Sequence, residues 1–143
     1  MFLGEFEHAL DDRGRLAIPA KFRGGLNGGL VITHGIDRCL VIWPMPEWQN
    51  VAQRFTDLPL MHADARRMHR LLFSGATDTA PDRLGRILIP SPLRTYAGIR
   101  ESAVIVGLLN RLEVWSPANW EQERAAAEEN SPQLAEHLFS LGM

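Results

Sequence analysis

One segment of the chain occurs twice, and this repeat limits the possible folds more than any other feature. It reads DDRGRLAIPAKFR at Asp11–Arg23 and returns as DRLGRILIPSPLR at Asp82–Arg94. A stacked repeat protein needs about three or more copies to bury a continuous core. Two copies instead predict two half-domains that close on each other about a pseudo-twofold axis. We expect one structural unit over residues 1–143, with the repeats at 4–47 and 75–118.

Each copy has the pattern of a strand, a tight turn, a second strand and the start of a helix. Gly14 and Gly85 can adopt the positive φ that a hairpin turn requires, and the carboxylates of Asp11 and Asp82 can accept nearby backbone N–H groups. Alternating apolar residues follow each turn, and a proline then suits the first turn of a helix. We therefore expect these four residues to orient two loops, each with an arginine at its exit.

Apolar periodicity predicts the remaining elements. The expected strands are Gly4–Leu10, Leu30–Thr33, Cys39–Trp43, Gly75–Ala80, Arg86–Ile89, Ala103–Gly107 and Leu112–Trp115, and the longer helices are Glu47–Leu58, Asp64–Phe73, Pro117–Asn130 and Pro132–Leu141. Asp64 and Ser116 are the expected N-caps of two of these helices. The predicted fold class is α/β, with two pseudo-twofold-related half-domains that form a small barrel flanked by helices.

Composition places the chain among ordinary globular domains. It has 143 residues, of which 45% are hydrophobic, so it can bury a substantial core. The sequence has no apolar run long enough to span a membrane, and its first residues, MFLGEFEH, lack the pattern of a signal peptide. We therefore expect a cytoplasmic protein with no membrane partner. The single cysteine, Cys39, lies in an apolar strand and is expected to be a core residue.

The distribution of charge is more informative than its total. The net charge is −2 and the pI is near 6.2, which does not indicate a nucleic-acid-binding protein. Each copy of the repeated segment is nevertheless locally basic, and the acids are concentrated elsewhere, notably after residue 120. The basic residues of the two copies are Arg13, Arg15, Lys21, Arg23, Arg83, Arg86 and Arg94. Arginine can grip phosphate groups or guanine edges with two parallel hydrogen bonds. The alternative is that the Asp–Arg pairs are local ion pairs that stiffen the hairpins, each contributing under about 1 kcal/mol.

The doubled D-x-x-x-R turns, the L/I-x-I-P that follows them and the W-x4-W after each hairpin resemble the MraZ family of bacterial transcriptional regulators. More broadly, they resemble the AbrB/SpoVT swapped-hairpin DNA-binding fold. The resemblance covers nearly the whole chain. It implies a nucleoid-associated protein that forms ring oligomers and represses its own promoter in the division and cell-wall gene cluster. The family's DNA-contacting signature falls on Asp11 with Arg15 and on Asp82 with Arg86.

The expected partners are therefore double-stranded DNA and further copies of the same chain. Arg15 and Arg86 are the principal candidates for DNA contact, with Arg13, Arg83 and Lys21 beside them. One alternative is an oligomeric protein-interaction module on the same fold that does not read DNA. A small hydrolase is a third alternative, although no motif for a catalytic triad, P-loop or zinc site is present.

No cofactor, metal site or catalytic residue is expected. His62 and His69 lie seven residues apart, but no third ligand accompanies them at a zinc-like spacing. Four tryptophans occupy matched places in the two repeats, namely Trp43, Trp48, Trp115 and Trp120. They could stack on bases, but their positions at strand ends and helix starts favour packing in the core.

Overall fold

The structure is a computed structural model, and it describes residues 1–142. The strands are β1 (Phe2–Ala9), β2 (Arg15–Ala17), β3 (Leu30–His34), β4 (Leu40–Pro44), β5 (Thr77–Thr79), β6 (Arg86–Leu88), β7 (Ser102–Leu109) and β8 (Leu112–Trp115). The helices are α1 (Ala20–Arg23), α2 (Met45–Thr56), α3 (Ala63–Ser74), α4 (Ser91–Ala97), α5 (Pro117–Glu129) and α6 (Ser131–Ser140). A short 3-10 turn at Gly24–Leu26 follows α1. The mixed α/β class is confirmed.

The strands of the two halves interleave. Six of them form one antiparallel sheet in the order β1-β7-β8-β4-β3-β5, and β2 pairs with β6 in a separate two-stranded ribbon. The corresponding strands of the two halves are β1 and β5, β2 and β6, β3 and β7, and β4 and β8. When each strand is exchanged for its counterpart, the sheet has the same order read from the opposite edge. The topology therefore has the pseudo-twofold relation expected from the repeat, with the axis passing between β4 and β8 and through the ribbon. Each half completes the sheet of the other.

The strands do not form the small barrel that the sequence predicted. β1 and β5 lie at opposite ends of the six-stranded sheet and do not pair with each other, so within residues 1–142 the sheet is open. The ribbon packs its apolar face against this sheet. Closure would require the two edge strands to meet, but β5 is only three residues long and pairs with β3 alone.

The core lies between the ribbon, the sheet and the short helices. Leu16 and Ile87 face each other across the ribbon, and their side chains are almost fully buried. Ile18 and Ile89, which follow them, are both 0% exposed. Burying one such side chain stabilises the fold by about 1.5–3 kcal/mol. The alternating apolar residues of the repeated segment are thus the part of it that holds the two halves together.

Two helix starts test the predicted N-caps. Ser116 is confirmed, because its hydroxyl oxygen accepts the backbone N–H of Asn119 at 3.1 Å. Asp64 is not the N-cap of α3, because His62 takes that position and Asp64 lies in the first turn of the helix. A carboxylate there still faces the positive end of the helix dipole. α2 begins two residues earlier than predicted, at Met45, since Pro44 supplies the extended backbone that precedes a helix.

The helices after the two hairpins differ in how well they are covered. α3 buries Ala65 and Leu72, and the hydroxyl of Thr33 on β3 donates to the Leu72 carbonyl at 2.6 Å. α6 has no buried residue, and its Leu134 and Leu138 are 49% and 46% exposed. Among residues 1–142, each helix is too short or too polar to cross a lipid bilayer.

Candidate nucleic-acid interface

The first turn is organised by one carboxylate. Oδ1 of Asp11 accepts the backbone N–H groups of Arg13 and Arg15, each at 2.9 Å, and Oδ2 accepts the Arg15 Nε–H at 2.6 Å. The chain reverses at Gly14, whose φ is +81°, and the Gly14 N–H donates to the Asp11 carbonyl at 3.0 Å. A carboxylate with three such donors both shapes the turn and aims the arginine. Asp11 thus contacts both the backbone of the turn and the guanidinium of Arg15.

The second turn repeats this geometry. Oδ1 of Asp82 accepts the backbone N–H groups of Leu84 and Arg86 at 2.9 Å, and Oδ2 accepts the Arg86 Nε–H at 2.9 Å. Gly85 has a φ of +78°. The Asp82 carboxylate binds backbone N–H groups, which do not depend on the side chain. The turn can therefore have Leu84 where the first turn has Arg13. The differing residues inside the two turns leave their backbones alike.

The carboxylates of the two turns are held in the ionised form. The backbone N–H of Arg15 lowers the pKa of Asp11 most, desolvation opposes it, and the Arg15 guanidinium and the Arg13 backbone N–H lower it further, to about 2. The pKa of Asp82 is lowered in the same way, chiefly by the backbone N–H of Arg86. Nη1 of Arg86 also lies 3.8 Å from Oδ2 of Asp11. This contact joins the two turns across the pseudo-twofold axis.

A second pair of arginines braces the turns from inside. Nε of Arg23 donates to the Ile18 carbonyl at 2.9 Å, and its guanidinium lies so close to Gly85 that a Cβ there would overlap it. Arg94 likewise donates to the Ile89 carbonyl at 3.0 Å and covers Gly14. Each arginine thus reaches the turn of the other half. From the sequence, Arg23 and Arg94 are interpreted only as local positive charge, and their bracing role is missed. Their matched positions in the repeat are the signal that they form a pair.

The backbones of the two turns are also joined across the axis. The N–H of Ile18 donates to the Gly85 carbonyl at 2.9 Å, and the N–H of Ile89 donates to the Gly14 carbonyl at 3.0 Å. Glycine is needed at both positions because the φ is positive and because an arginine lies against the α-carbon. The two loops are therefore joined directly by two backbone hydrogen bonds.

The outward face of the ribbon carries the two candidate arginines. β2 and β6 pair so that Arg15 faces Leu88 and Ala17 faces Arg86, while Leu16 and Ile87 point into the core. The side chains of Arg15 and Arg86 are 31% and 28% exposed. The structure thus brings together on one small surface the two arginines that the sequence singled out.

The remaining candidate cations are placed differently. Arg13 and Arg83 are exposed residues of the two turns. Lys21 is exposed on α1, and its ammonium lies 5.4 Å from the ring centroid of Phe6 and 5.5 Å from that of Phe22. A cation over aromatic faces at this distance is attracted to them. Lys21 therefore has a packing role in addition to its charge.

Comparison with known proteins identifies the family of the chain. The family model described as MraZ protein matches the chain twice, at residues 1–71 and at residues 72–141. The chain belongs to the MraZ family. The two matches meet between residues 71 and 72, near the end of α3, and so assign one match to each half of the chain.

Relatives named Transcriptional regulator MraZ match the chain over its full length. The protein from Herpetosiphon aurantiacus is 46% identical over 143 residues and covers 100% of both chains. The proteins from Roseiflexus castenholzii and Desulforamulus reducens are 48% and 45% identical over 141 residues, which is 99% of each chain. This MraZ-family chain is thus similar throughout to transcription regulators, and the family is one of regulators rather than enzymes.

The other candidate residues of this MraZ-family protein serve packing. Trp115 is buried and lies 5.7 Å from the partly buried Trp120, ring to ring. The partly buried Trp48 makes an edge contact with Phe73 at 5.9 Å. These contacts agree with the packing interpretation of the tryptophans rather than with base stacking.

The cysteine and the histidines are likewise parts of the framework. Cys39 is 1% exposed, and burial raises the pKa of its thiol to about 12. A ring nitrogen of His69 contacts the Phe55 carbonyl, while His62 precedes α3. Among residues 1–142, no three His, Cys, Asp or Glu side chains cluster as metal ligands.

Proposed function

We propose that this protein is a transcriptional regulator that binds double-stranded promoter DNA sequence-specifically through the β2–β6 ribbon and its two turns. It acts in the cytoplasm, on the nucleoid, as a homo-oligomer larger than a dimer. The oligomer is a ring whose subunits meet successive direct repeats. In this proposal it represses its own division and cell-wall gene cluster.

One observation carries the proposal, namely the paired orientation of Arg15 and Arg86 on one two-stranded ribbon. Each aspartate accepts a hydrogen bond from the Nε of its arginine, so terminal nitrogens can donate to a ligand. In Arg86, Nη1 also lies 3.8 Å from Oδ2 of Asp11. The major groove of DNA admits a two-stranded ribbon, and an arginine that bonds O6 and N7 of guanine is the commonest specific contact there. The aspartate and the opposing turn order these side chains before DNA arrives, so less entropy is lost on binding.

The charge around the ribbon favours DNA over the interaction-module alternative. That alternative would be favoured by a large apolar patch on the helices together with neutral turns. Both turns instead expose an additional arginine, Arg13 in the first and Arg83 in the second. The aspartates are themselves paired with Arg15 and Arg86. Each phosphate that a cation neutralises releases counterions and adds affinity. The acids that make the total charge negative are concentrated on α5 and α6.

Assembly is supported by the uncovered face of α6. Leu134, Leu138 and Phe139 are all strongly exposed, and only Asn130 separates α6 from α5. This short connection does not allow α6 to fold back along α5, whereas the longer loop between α2 and α3 lets those helices pack together. An apolar face of this kind marks a site of protein contact.

The arm formed by α2 and α3 has the properties of a partner for α6. A cleft of about 320 Å³ lies between these helices and β4, with apolar walls that include Phe55, Met68 and Leu71. α3 carries three arginines and one aspartate, while α5 and α6 together carry five glutamates and one arginine. Contact between α5–α6 of one copy and α2–α3 of the next would therefore pair opposite charges. Such head-to-tail contacts generate a ring when the rotation closes.

Several weak sites in one ring would compensate for the small number of cations on each subunit. Linked sites bind the second repeat at a high effective concentration without new contacts. Neighbouring subunits must face the same side of the duplex, so repeats should be spaced by a helical turn of about 10–10.5 base pairs.

The test is binding to the DNA upstream of the gene, measured by gel shift at several salt concentrations. Arg15→Ala should weaken binding by roughly 5- to 150-fold, which corresponds to the loss of one bidentate guanine contact. Arg86→Ala should have a similar or smaller effect. Arg54→Ala, which removes the same charge from an exposed position on α2, is the matched control and should bind as the wild type does. Light scattering should show the same oligomer for all variants.

Two outcomes would contradict the proposal. If the double variant Arg15→Ala/Arg86→Ala bound the fragment as tightly as the wild type at about 0.15 M salt, the ribbon would not be the DNA-reading element. If the wild type were a 16.1 kDa monomer at tens of micromolar, the assembly part would be wrong. Inserting about five base pairs between repeats should reduce wild-type binding nearly to that of a single repeat.

A further inference from the structure

The outward face of the ribbon breaks the pseudo-twofold symmetry. The matched pairs across the axis are Arg15 with Arg86 and Ala17 with Leu88. Because of the strand register, Arg15 lies opposite Leu88, and Arg86 lies opposite Ala17. One end of the ribbon therefore presents an arginine beside a large apolar side chain, and the other end presents an arginine beside a methyl group.

Leu88 is exposed although it lies in a strand. It is 51% exposed, while its neighbours in the chain, Ile87 and Ile89, are 1% and 0% exposed. The sequence thus places a leucine at a position that faces water, next to a guanidinium that is itself part of the proposed DNA surface. On DNA, the apolar group that protrudes into the major groove is the C5-methyl of thymine.

We propose that Leu88 is a specificity-determining residue that contacts a thymine methyl beside the base read by Arg15. Directly opposed residues of an antiparallel pair have Cβ atoms about 5 Å apart, and successive base pairs of DNA are about 3.4 Å apart. The thymine therefore lies one or two base pairs from the guanine that Arg15 contacts. The inference rests on the proposed DNA-binding function and adds to it the chemistry of a second base.

The consequence is an asymmetric recognition site. A ribbon with true twofold symmetry would favour a palindrome, because both ends would read the same bases. Here Ala17 is too short to make the contact that Leu88 makes, so only one half of the site requires the thymine. The subunit consequently has a preferred orientation on the duplex.

The experiment is a thymine-to-uracil scan of a single-repeat duplex taken from the DNA upstream of the gene. Uracil lacks only the methyl group. One replacement should weaken wild-type binding about fourfold, the equivalent of one buried methyl group. The same replacement should leave the Leu88→Ala variant unaffected, since its partner side chain is already gone. Leu3→Ala, at a leucine on β1 that is 50% exposed, is the matched control and should keep the fourfold effect.

A gain of contact completes the test. Ala17→Leu should create a second uracil-sensitive position, related to the first by the dyad of the site. The inference is overturned if Arg15→Ala weakens binding but no thymine behaves as expected. The expected behaviour is that its replacement by uracil weakens wild-type binding fourfold and leaves Leu88→Ala unaffected. If the wild type itself fails to bind any upstream fragment, the proposed function fails and this inference falls with it.

Discussion

Adding one methyl group at Gly85 should weaken the contact between the two halves. The φ of Gly85 is +78°, and a Cβ there would overlap the guanidinium of Arg23. The left-handed backbone costs an L-residue about 1–2 kcal/mol. Displacing Arg23 from the Ile18 carbonyl costs a charged hydrogen bond, worth about 1.5–3 kcal/mol when fully buried and nearer 1 kcal/mol at this half-exposed position. We expect Gly85→Ala to lower the free energy of unfolding by about 2–3 kcal/mol.

The measurement is urea unfolding at pH 7, compared with thermal melting at the same protein concentration. The melting temperature should fall by roughly 6–9 °C, at about 3 °C per kcal/mol for a chain of this size. Gly24→Ala is the matched control, since Gly24 has a φ of −59° and a Cβ there would meet nothing within 4 Å. That control should be stabilising by about 0.4–1 kcal/mol.

A double variant separates the two contributions. In an Arg23→Ala background the overlap is absent, so Gly85→Ala should cost only the backbone part, about 1–2 kcal/mol. The reasoning is refuted if Gly85→Ala costs the same in both backgrounds, or if it costs less than about 0.5 kcal/mol in the wild type.

Three further predictions concern the carboxylate of the first turn, the buried thiol and the unity of the fold. Asp11 has a lowered pKa of about 2, so its stabilising effect is complete above its unfolded pKa and is lost as the pH falls through about 2. Asp11→Asn should therefore melt below the wild type at pH 7, with a difference that shrinks between about pH 4 and pH 2; a constant difference would contradict this. Cys39, whose pKa is raised to about 12, should resist a thiol reagent at pH 8 until urea unfolds the protein, and rapid labelling of the native protein would contradict its burial. Residues 1–72 alone should show no cooperative, monomeric melting transition, because β1 and β2 would lose their partners β7 and β6.

Much of the local structure could be predicted from sequence because it depends on neighbours in the chain. The Asp–Arg turns close through contacts four residues apart, such as Asp11 with Arg15, and their glycines are needed for a local φ. The helix start at Ser116 depends on an N–H three residues away. Such contacts form from the segment itself, so the pattern of residue types is enough to indicate them. The error at Asp64 has the same origin, since the preceding loop moved the cap to His62.

The residues alone determined that this protein has two matched halves, that each presents an arginine at a glycine turn, and that the apolar strands need partners. Only the tertiary structure decided which strands those partners are. β2 finds β6 about seventy residues away, and alternating apolar residues say which face is buried but not which strand lies beside it. That choice of partner placed Arg23 against Gly85, opened the sheet between β1 and β5, and set Leu88 beside Arg15. These contacts join distant parts of the chain, so their geometry exists only once both halves have folded together.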